Sequence, residues 1–272
     1  MVMTVRTASH RRYLMCPPTH FEVTYAINAW MDAGTPVDSA LVVEQWENLR
    51  RTYQELGHEV HTIEPVEGLP DMVFAANCGL VVDGRVLGAN FRYPQRKAEA
   101  PAYHAWLAGA GYDELTVSSA ISEGEGDFTV VGDLILAGTG FRTDPEAHDE
   151  ARELFGRRVV TLELVDPRFY HLDVALAVLD DETIMYYPGA FSLESQDVLA
   201  ELFPDAIIAT EQDAEALGLN AVSDGANVVL PVDAKELADR LAEQGFTPVM
   251  VDLSELKKGG GSVKCCTLEL RD

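Results

Sequence analysis

One pattern recurs along the chain: an apolar run, a turn marked by Gly or Asp, and a second apolar run. It appears as NCGLVVDGRVLGANF (77–91), GDFTVVGDLILAGTGF (126–141), LDVALAVLDDETIMYYPGAF (172–191) and LNAVSDGANVVLPV (219–232). Apolar runs flanking a short polar turn signal β-hairpins. Each is followed by a helical pattern: RKAEAPAYHAWLAGAG, PEAHDEARELFG, SLESQDVLAELFP and DAKELADRLAEQG. After most of these helices comes another apolar stretch, namely RRVVTLEL, AIIATE and TPVMVDLS. The starts fall roughly 45–50 residues apart, a spacing that implies repeated supersecondary units. A fifth unit can be assembled from the two ends. CCTLEL and RRYLMC would supply its hairpin, VDSALVVEQWENLRRTYQELG its helix and HEVHTIEP its last strand. The pattern predicts an α/β fold of five ββαβ units closed into a propeller, one domain spanning residues 1–272. No linker or low-complexity stretch interrupts it.

Composition narrows what such a chain can do. Lys and Arg number 20 against 45 Asp and Glu, a net charge of −25. That excludes nucleic acid and anionic membranes as partners, since both require basic patches. It suits steering of a cationic small molecule and equally serves solubility. No apolar run approaches the roughly 18 residues that a membrane span needs. The opening MVMTVRTASHRRYLMCPP lacks the apolar core of a secretory signal. Four cysteines with no framework spacing suggest a reducing compartment, so a cytoplasmic location is expected. A homo-oligomer is compatible with all of this.

In a closed ring the unit ends converge on the axis, so polar residues at equivalent junctions are the candidates for chemistry. GLPDMVFAANCGLV offers Asp71 and Asn77, and FRYPQRKAE offers Arg92 and Arg96. ISEGEGDFTVVGD contributes Glu123, Glu125 and Asp127, and GFRTD contributes Arg142. FYHLDVALAV places His171 and Asp173 on one face of an expected strand by its period of two. GGGSVKCC ends the series with Cys265 and Cys266. Adjacent cysteines are poor disulfide partners and match no metal-binding spacing. On a closing strand they would face opposite sides. Cys16 and Cys78 read as small apolar core residues.

Taken in order, PDMVFAAN, EGEGD, FRTD, YHLDVAL and GGGSVKCCTLEL resemble the motifs of the guanidine-modifying pentein superfamily. That group holds arginine deiminase, dimethylarginine dimethylaminohydrolase, arginine dihydrolase and the amidinotransferases. The resemblance covers nearly the whole chain and implies the same five-unit propeller. It implies Cys265 as nucleophile, His171 as general acid and base with Asp173 as its partner, and Glu123 as the carboxylate that holds a guanidinium, with Glu125 as the alternative. Arg96 and Arg142 match positions that bind a substrate's α-carboxylate, Arg92 being the fallback for Arg96. Asp71 either caps a turn or touches ligand. The implied substrate is a small cationic amino acid, with no metal, nucleotide or flavin cofactor.

The chain departs from the deiminase and dimethylaminohydrolase pattern at Asn77, where those enzymes carry a carboxylate. An amide both donates and accepts, whereas a carboxylate only accepts. It can therefore hold a neutral ureido group as readily as a guanidinium. Arginine dihydrolase shares this feature and attacks twice, taking arginine to ornithine, carbon dioxide and two ammonia. Asn28, in EVTYAINAWM, matches a second amide of that subgroup. The expected function is thus a cysteine-dependent hydrolase of guanidino C–N bonds, with arginine dihydrolysis leading and conversion of dimethylarginine or arginine to citrulline as the alternative. An amidinotransferase and a non-catalytic binding module of this fold are the rivals from other classes. The compact length disfavours the first, and Cys265, His171 and Glu123 together disfavour the second.

Overall fold

The first hairpin shows why the repeat folds as it does. Leu80 to Val82 pairs antiparallel with Arg85 to Leu87, joined by Asp83 and Gly84. Both turn residues have positive φ, 52° and 72°, the conformation a two-residue type I′ turn demands and Asp-Gly supplies readily. In the second hairpin Val131 pairs with Leu134 across Gly132, whose φ of 51° fits a II′ turn with glycine first.

The computed structural model describes residues 6–272. Five three-stranded sheets make up its β-structure. Four are consecutive in sequence: Gly79–Val82, Arg85–Gly88 and Glu114–Val117; Phe128–Val131, Leu134–Thr139 and Arg158–Glu163; Leu176–Val178, Ile184–Tyr186 and Ile207–Ile208; Val222–Ser223, Asn227–Pro231 and Thr247–Val251. Within each, the first two strands are antiparallel and the second and third parallel. Parallel neighbours need a crossover, and a helix provides each one. These helices are Glu99–Gly109, Pro145–Phe155, Leu193–Leu202 and Lys235–Glu243.

The fifth sheet closes the ring from both ends of the chain, as the sequence implies. Leu268–Glu269 pairs antiparallel with Arg12–Met15, which pairs in parallel with Glu59–Thr62. Its helix, Ser39–Glu55, starts at Asp38, whose carboxylate accepts the Ala40 and Leu41 N–H groups. Val42, Trp46, Leu49 and Tyr53 form its buried stripe. Among the described residues no helix is long and apolar enough to cross a membrane.

Three local expectations fail. The strand Glu114–Val117 goes unread because half of it is polar and most of it exposed. The closing strand is only Leu268–Glu269, and Cys265 and Cys266 sit in the preceding turn, where the Cys266 N–H bonds back to the Ser262 carbonyl. His171 and Asp173 likewise enter a 3₁₀ turn, Leu172–Val174, ahead of the strand. Similar turns at Ala75–Cys78 and Gly124–Gly126 lead into the first and second hairpins. The axis is therefore lined by tight turns rather than strand faces, and it is these turns that aim the polar side chains.

Candidate active site

Burying charge without a partner costs several kcal/mol per ion, so a cluster of buried ionisable groups demands an accounting. Asp71, Asn77, Arg96, Glu99, Glu123, Arg142, His171 and Asp173 are all buried around the axis. One pocket is lined by Asn28, Asp71, Asn77, Arg96, Arg142 and Cys265, with Ile27, Met31, Phe74, Tyr170 and Gly259 completing its wall.

Glu123 anchors the group. Its Oε1 accepts the Arg92 backbone N–H at 3.1 Å. Its Oε2 receives Arg142 Nη1 at 2.9 Å and His171 Nε2 at 2.7 Å. Burial opposes its ionisation, but the Arg142 guanidinium and the His171 bond outweigh that and hold the carboxyl well below the usual range. The remaining ring nitrogen, His171 Nδ1, has no protein partner. Glu125, two residues on, goes elsewhere: it pairs with Lys264 and Arg271 and accepts the Glu269 N–H at 3.0 Å. Gly124 makes the reversal possible. It has φ 53°, and a Cβ there would fall 2.5 Å from Gly79 N.

The two arginines differ. Arg96 donates to Glu99 through Nε and Nη2, to Asn77 Oδ1 at 2.6 Å, and to the Asp71 carbonyl at 3.1 Å. A guanidinium has five N–H groups, so a single Nη1–H remains for a ligand. Arg96 is expected from sequence to receive a carboxylate; the structure instead spends it mainly on Glu99 and on orienting Asn77. Arg142 is freer, bonding Glu123 and the Ile27 carbonyl at 2.8 Å while stacking between Tyr93 and Tyr170. The Arg92 side chain turns outward to Asp144 and the Arg142 carbonyl, and so does not serve as a fallback in the pocket.

Since Arg96 can only donate, Asn77 must present Oδ1 to it. Nδ2 then points the other way, buried and without a partner. Gly126 packs against this amide and the His171 ring, and a Cβ there would collide with Asn77 Nδ2. Asp71 takes the Tyr25 hydroxyl on Oδ2 at 2.9 Å and leaves Oδ1 buried and unpartnered. Asn28 is largely occupied, with Oδ1 accepting the Trp30 and Met31 N–H groups and Nδ2 donating to the Gly259 carbonyl. It ties the 27–31 segment to the glycine turn.

Cys265 faces this pocket and its thiol donates to Asp173 Oδ2 at 3.2 Å. The structure thus hydrogen-bonds Asp173 to the cysteine rather than to His171, whose Nε2 is taken by Glu123. Burial pushes the Cys265 thiol well up, and the Asp173 carboxylate adds to it. Burial likewise pushes Asp173 up to about 6. Cys266 turns into the apolar core, fully buried, where burial raises its thiol too. Two residues that sequence reasoning passed over also belong here: Glu99, which holds Arg96, and Asn220, which bonds Cys265 Sγ at 3.1 Å. Asn220 stands just before its hairpin, as Asn77 does, and that shared place is the signal that could have found it.

This arrangement brings together a buried thiol, a histidine with one free nitrogen, orphan acceptors and donors, and a carboxylate held ionised. Comparison with known proteins agrees in kind. The family model for N,N dimethylarginine dimethylhydrolase, eukaryotic, matches residues 21–272. An N(G),N(G)-dimethylarginine dimethylaminohydrolase of Mycobacterium tuberculosis is 57% identical over 265 residues, 97% of this chain and 87% of that protein. The bifunctional arginine dihydrolase/ornithine cyclodeaminase ArgZ of Synechocystis is 36% identical over 267 residues, 96% of this chain but 38% of that longer protein. The crystal structure of the product-bound N-terminal domain of ArgZ, an arginine dihydrolase of cyanobacteria, superposes with a TM-score of 0.91 at 35% identity, covering 97% of this chain and 99% of that one. A dimethylarginine dimethylaminohydrolase adduct superposes at 0.80 with 20% identity, a likeness of fold alone.

Proposed function

Because this chain belongs to the dimethylarginine dimethylaminohydrolase family, a family of hydrolases acting on amidine C–N bonds, we propose that it hydrolyses the guanidino group of an arginine-type amino acid through Cys265, and that arginine is carried to ornithine. The observation that supports the two-step reading is the buried, unpartnered Asn77 Nδ2, left over on the side of the amide that Arg96 does not hold, against Gly126 and beside the His171 ring.

A guanidinium carbon is resonance-stabilised and calls for a strong nucleophile, which a thiolate is. The Cys265 thiol is held up by burial and by Asp173, so the cationic substrate itself must favour its ionisation. The thiol yields its proton to Asp173, which already accepts from it. Sulfur attacks the guanidinium carbon, the C–N bond to the terminal amine breaks, and His171 gives that amine its proton. The covalent thiouronium is then hydrolysed with His171 taking a proton from water, and the C–S bond breaks to leave a ureido product. Glu123 stays ionised and stabilises the charged imidazole. The unpartnered Asp71 Oδ1 would accept from the guanidinium, and Arg142, on the same pocket wall, would donate to an α-carboxylate.

A ureido carbon is less electrophilic, so a second attack needs a donor at its oxygen as charge develops there. Asn77 Nδ2 supplies it. Ammonia then leaves, water cleaves the C–S bond, and the resulting carbamate loses carbon dioxide. The second reading, hydrolysis of dimethylarginine to citrulline and dimethylamine, is favoured by the family match and the mycobacterial relative. Mass spectrometry of products from arginine and from dimethylarginine separates them. Arginine should yield ornithine with about two ammonia, and Asn77→Asp should stop at citrulline with about one, because a carboxylate accepts but does not donate. Wild-type protein that stops at citrulline, or acts on dimethylarginine alone, moves the assignment to the second reading.

A further inference from the structure

Asn220 precedes the fourth hairpin and is fully buried. Its Oδ1 accepts the backbone N–H groups of Ser262 at 3.0 Å and Cys265 at 3.1 Å. Its Nδ2 donates to the Asp173 carbonyl at 3.0 Å and to Cys265 Sγ at 3.1 Å. The two backbone amides only donate and the carbonyl only accepts, so the orientation of the side chain is fixed. All four of its main hydrogen-bonding positions are spent on the turn that carries the cysteine and on the residue that faces it. The Lys264 N–H adds a bond to the Asn220 carbonyl.

The sulfur therefore lies between two opposed influences. Asp173 Oδ2 accepts from the thiol and disfavours a thiolate, whereas an amide N–H favours one. From this geometry we infer that Asn220 is a positioning residue for the reaction, fixing the 262–265 turn through Oδ1 and stabilising the Cys265 thiolate through Nδ2. A residue needed only to hold the turn would have no use for the bond to sulfur. The two halves of the amide separate these tasks, which makes the inference testable. It rests on Cys265 being the nucleophile.

The experiment follows alkylation of Cys265 by iodoacetamide against pH, quantified on the Cys265 peptide by mass spectrometry, together with kcat and KM for arginine. It compares wild type, Asn220→Ala, Asn220→Asp and Cys265→Ser, each checked for folding by circular dichroism. Aspartate keeps the volume and an oxygen for the two backbone amides but turns a second oxygen toward sulfur. A hydrogen bond to a charged group is worth ~10–100-fold in an equilibrium, so Asn220→Ala should raise the alkylation midpoint by about 1 pH unit or more and lower kcat by a similar factor, with KM changed less than about 3-fold. Asn220→Asp should raise the midpoint further. An aspartate variant that titrates like wild type overturns the inference, as does a folded alanine variant with an unmoved midpoint; where alanine does not fold, aspartate decides. Activity surviving in Cys265→Ser would defeat the nucleophile reading itself, whereas an inactive serine variant with unmoved midpoints defeats only the role of Asn220.

Discussion

The axis of the propeller has two ends, and they differ in a way that size conceals. The cavity at the far end is large, about 420 Å³, and is lined by Arg12, Glu125, Arg157, Lys264, Glu269 and Arg271 among others. The pocket at Cys265 leaves about 10 Å³. Yet most of the charges around the large cavity are paired. Lys264 and Arg271 neutralise Glu125, Arg271 also meets Glu269, Arg157 meets Asp83, and Arg12 meets Asp272. It also carries the unpartnered Arg11 Nε, Tyr13 hydroxyl and Asp173 Oδ1, but no cysteine is part of its wall; only Asp173 reaches a thiol, through its other oxygen. Asp71 and Asn77 share the wall of the small pocket with Cys265, and their Oδ1 and Nδ2 atoms are buried without partners, with His171 Nδ1 orphaned close by the Asn77 amide. Unpaired polar atoms cost 1–3 kcal/mol each, a cost a protein bears where a ligand repays it. Orphaned atoms on a wall that also carries a cysteine, rather than volume, single out the small pocket as the candidate site.

The sharpest way to break this comparison uses the adjacent cysteines. Cys265→Ser should lower kcat by ~10³-fold or more, as loss of a covalent nucleophile does. Cys266→Ser, buried in the core, should keep most activity and lose about 1–3 kcal/mol of stability through its newly buried hydroxyl. Equal loss of activity in both, with folding intact by circular dichroism, would end the distinction.

Next in size is the pair Glu123 and Glu125, two residues apart and facing opposite ends. Glu123→Gln removes a charge bonded to Arg142 and His171, and should cost ~10²–10³-fold in kcat. Glu125→Gln leaves Lys264 and Arg271 without their buried partner and should cost about 3–5 kcal/mol of stability, with kcat per folded molecule within about 3-fold. Urea denaturation and steady-state kinetics on both variants read the two effects. A Glu125 variant that is stable but inactive would place chemistry at the large cavity instead.

The sequence makes the ring of units legible because its signals are local: Asp83-Gly84 and Gly132 set hairpins, and helices separate the parallel strands. Even the closing sheet follows, since one unit lacks a strand at each end of the chain. The details of the site are harder. Cys265, His171 and Asp173 occupy tight turns, and a 3₁₀ turn has no hydrophobic period to read. Strand alternation therefore brings His171 and Asp173 to the axis for the wrong reason, and the family resemblance pairs them with each other, when the Asp173 carboxylate accepts from the Cys265 thiol. Arg96 looks like a ligand-binding arginine because its partner Glu99 declares itself only through burial. Asn220 is hidden in a stretch whose apolar pattern explains it well enough as structure.

The smallest effect concerns Asp173, which borders both ends: it lines the large cavity and accepts from the Cys265 thiol. Burial raises its carboxyl to about 6 from an ordinary 3.8, the opposite of Glu123, whose carboxyl is depressed. Between those two values the unfolded chain has released the proton while the folded chain still holds it, so Asp173 erodes stability as pH rises toward 6 and the loss persists above. Glu123 acts in reverse, adding stability that is lost as pH falls. A shift near two units corresponds to about 3 kcal/mol at most. Asp173→Asn should therefore be more stable than wild type at pH 8 by ~1–3 kcal/mol in urea denaturation, with the difference fading toward zero below about pH 4. A variant equally destabilised at both pH values would mean that the Asp173 bond to Cys265 outweighs the cost of burying its charge, and that Asp173 belongs energetically with the paired groups rather than with the orphaned ones.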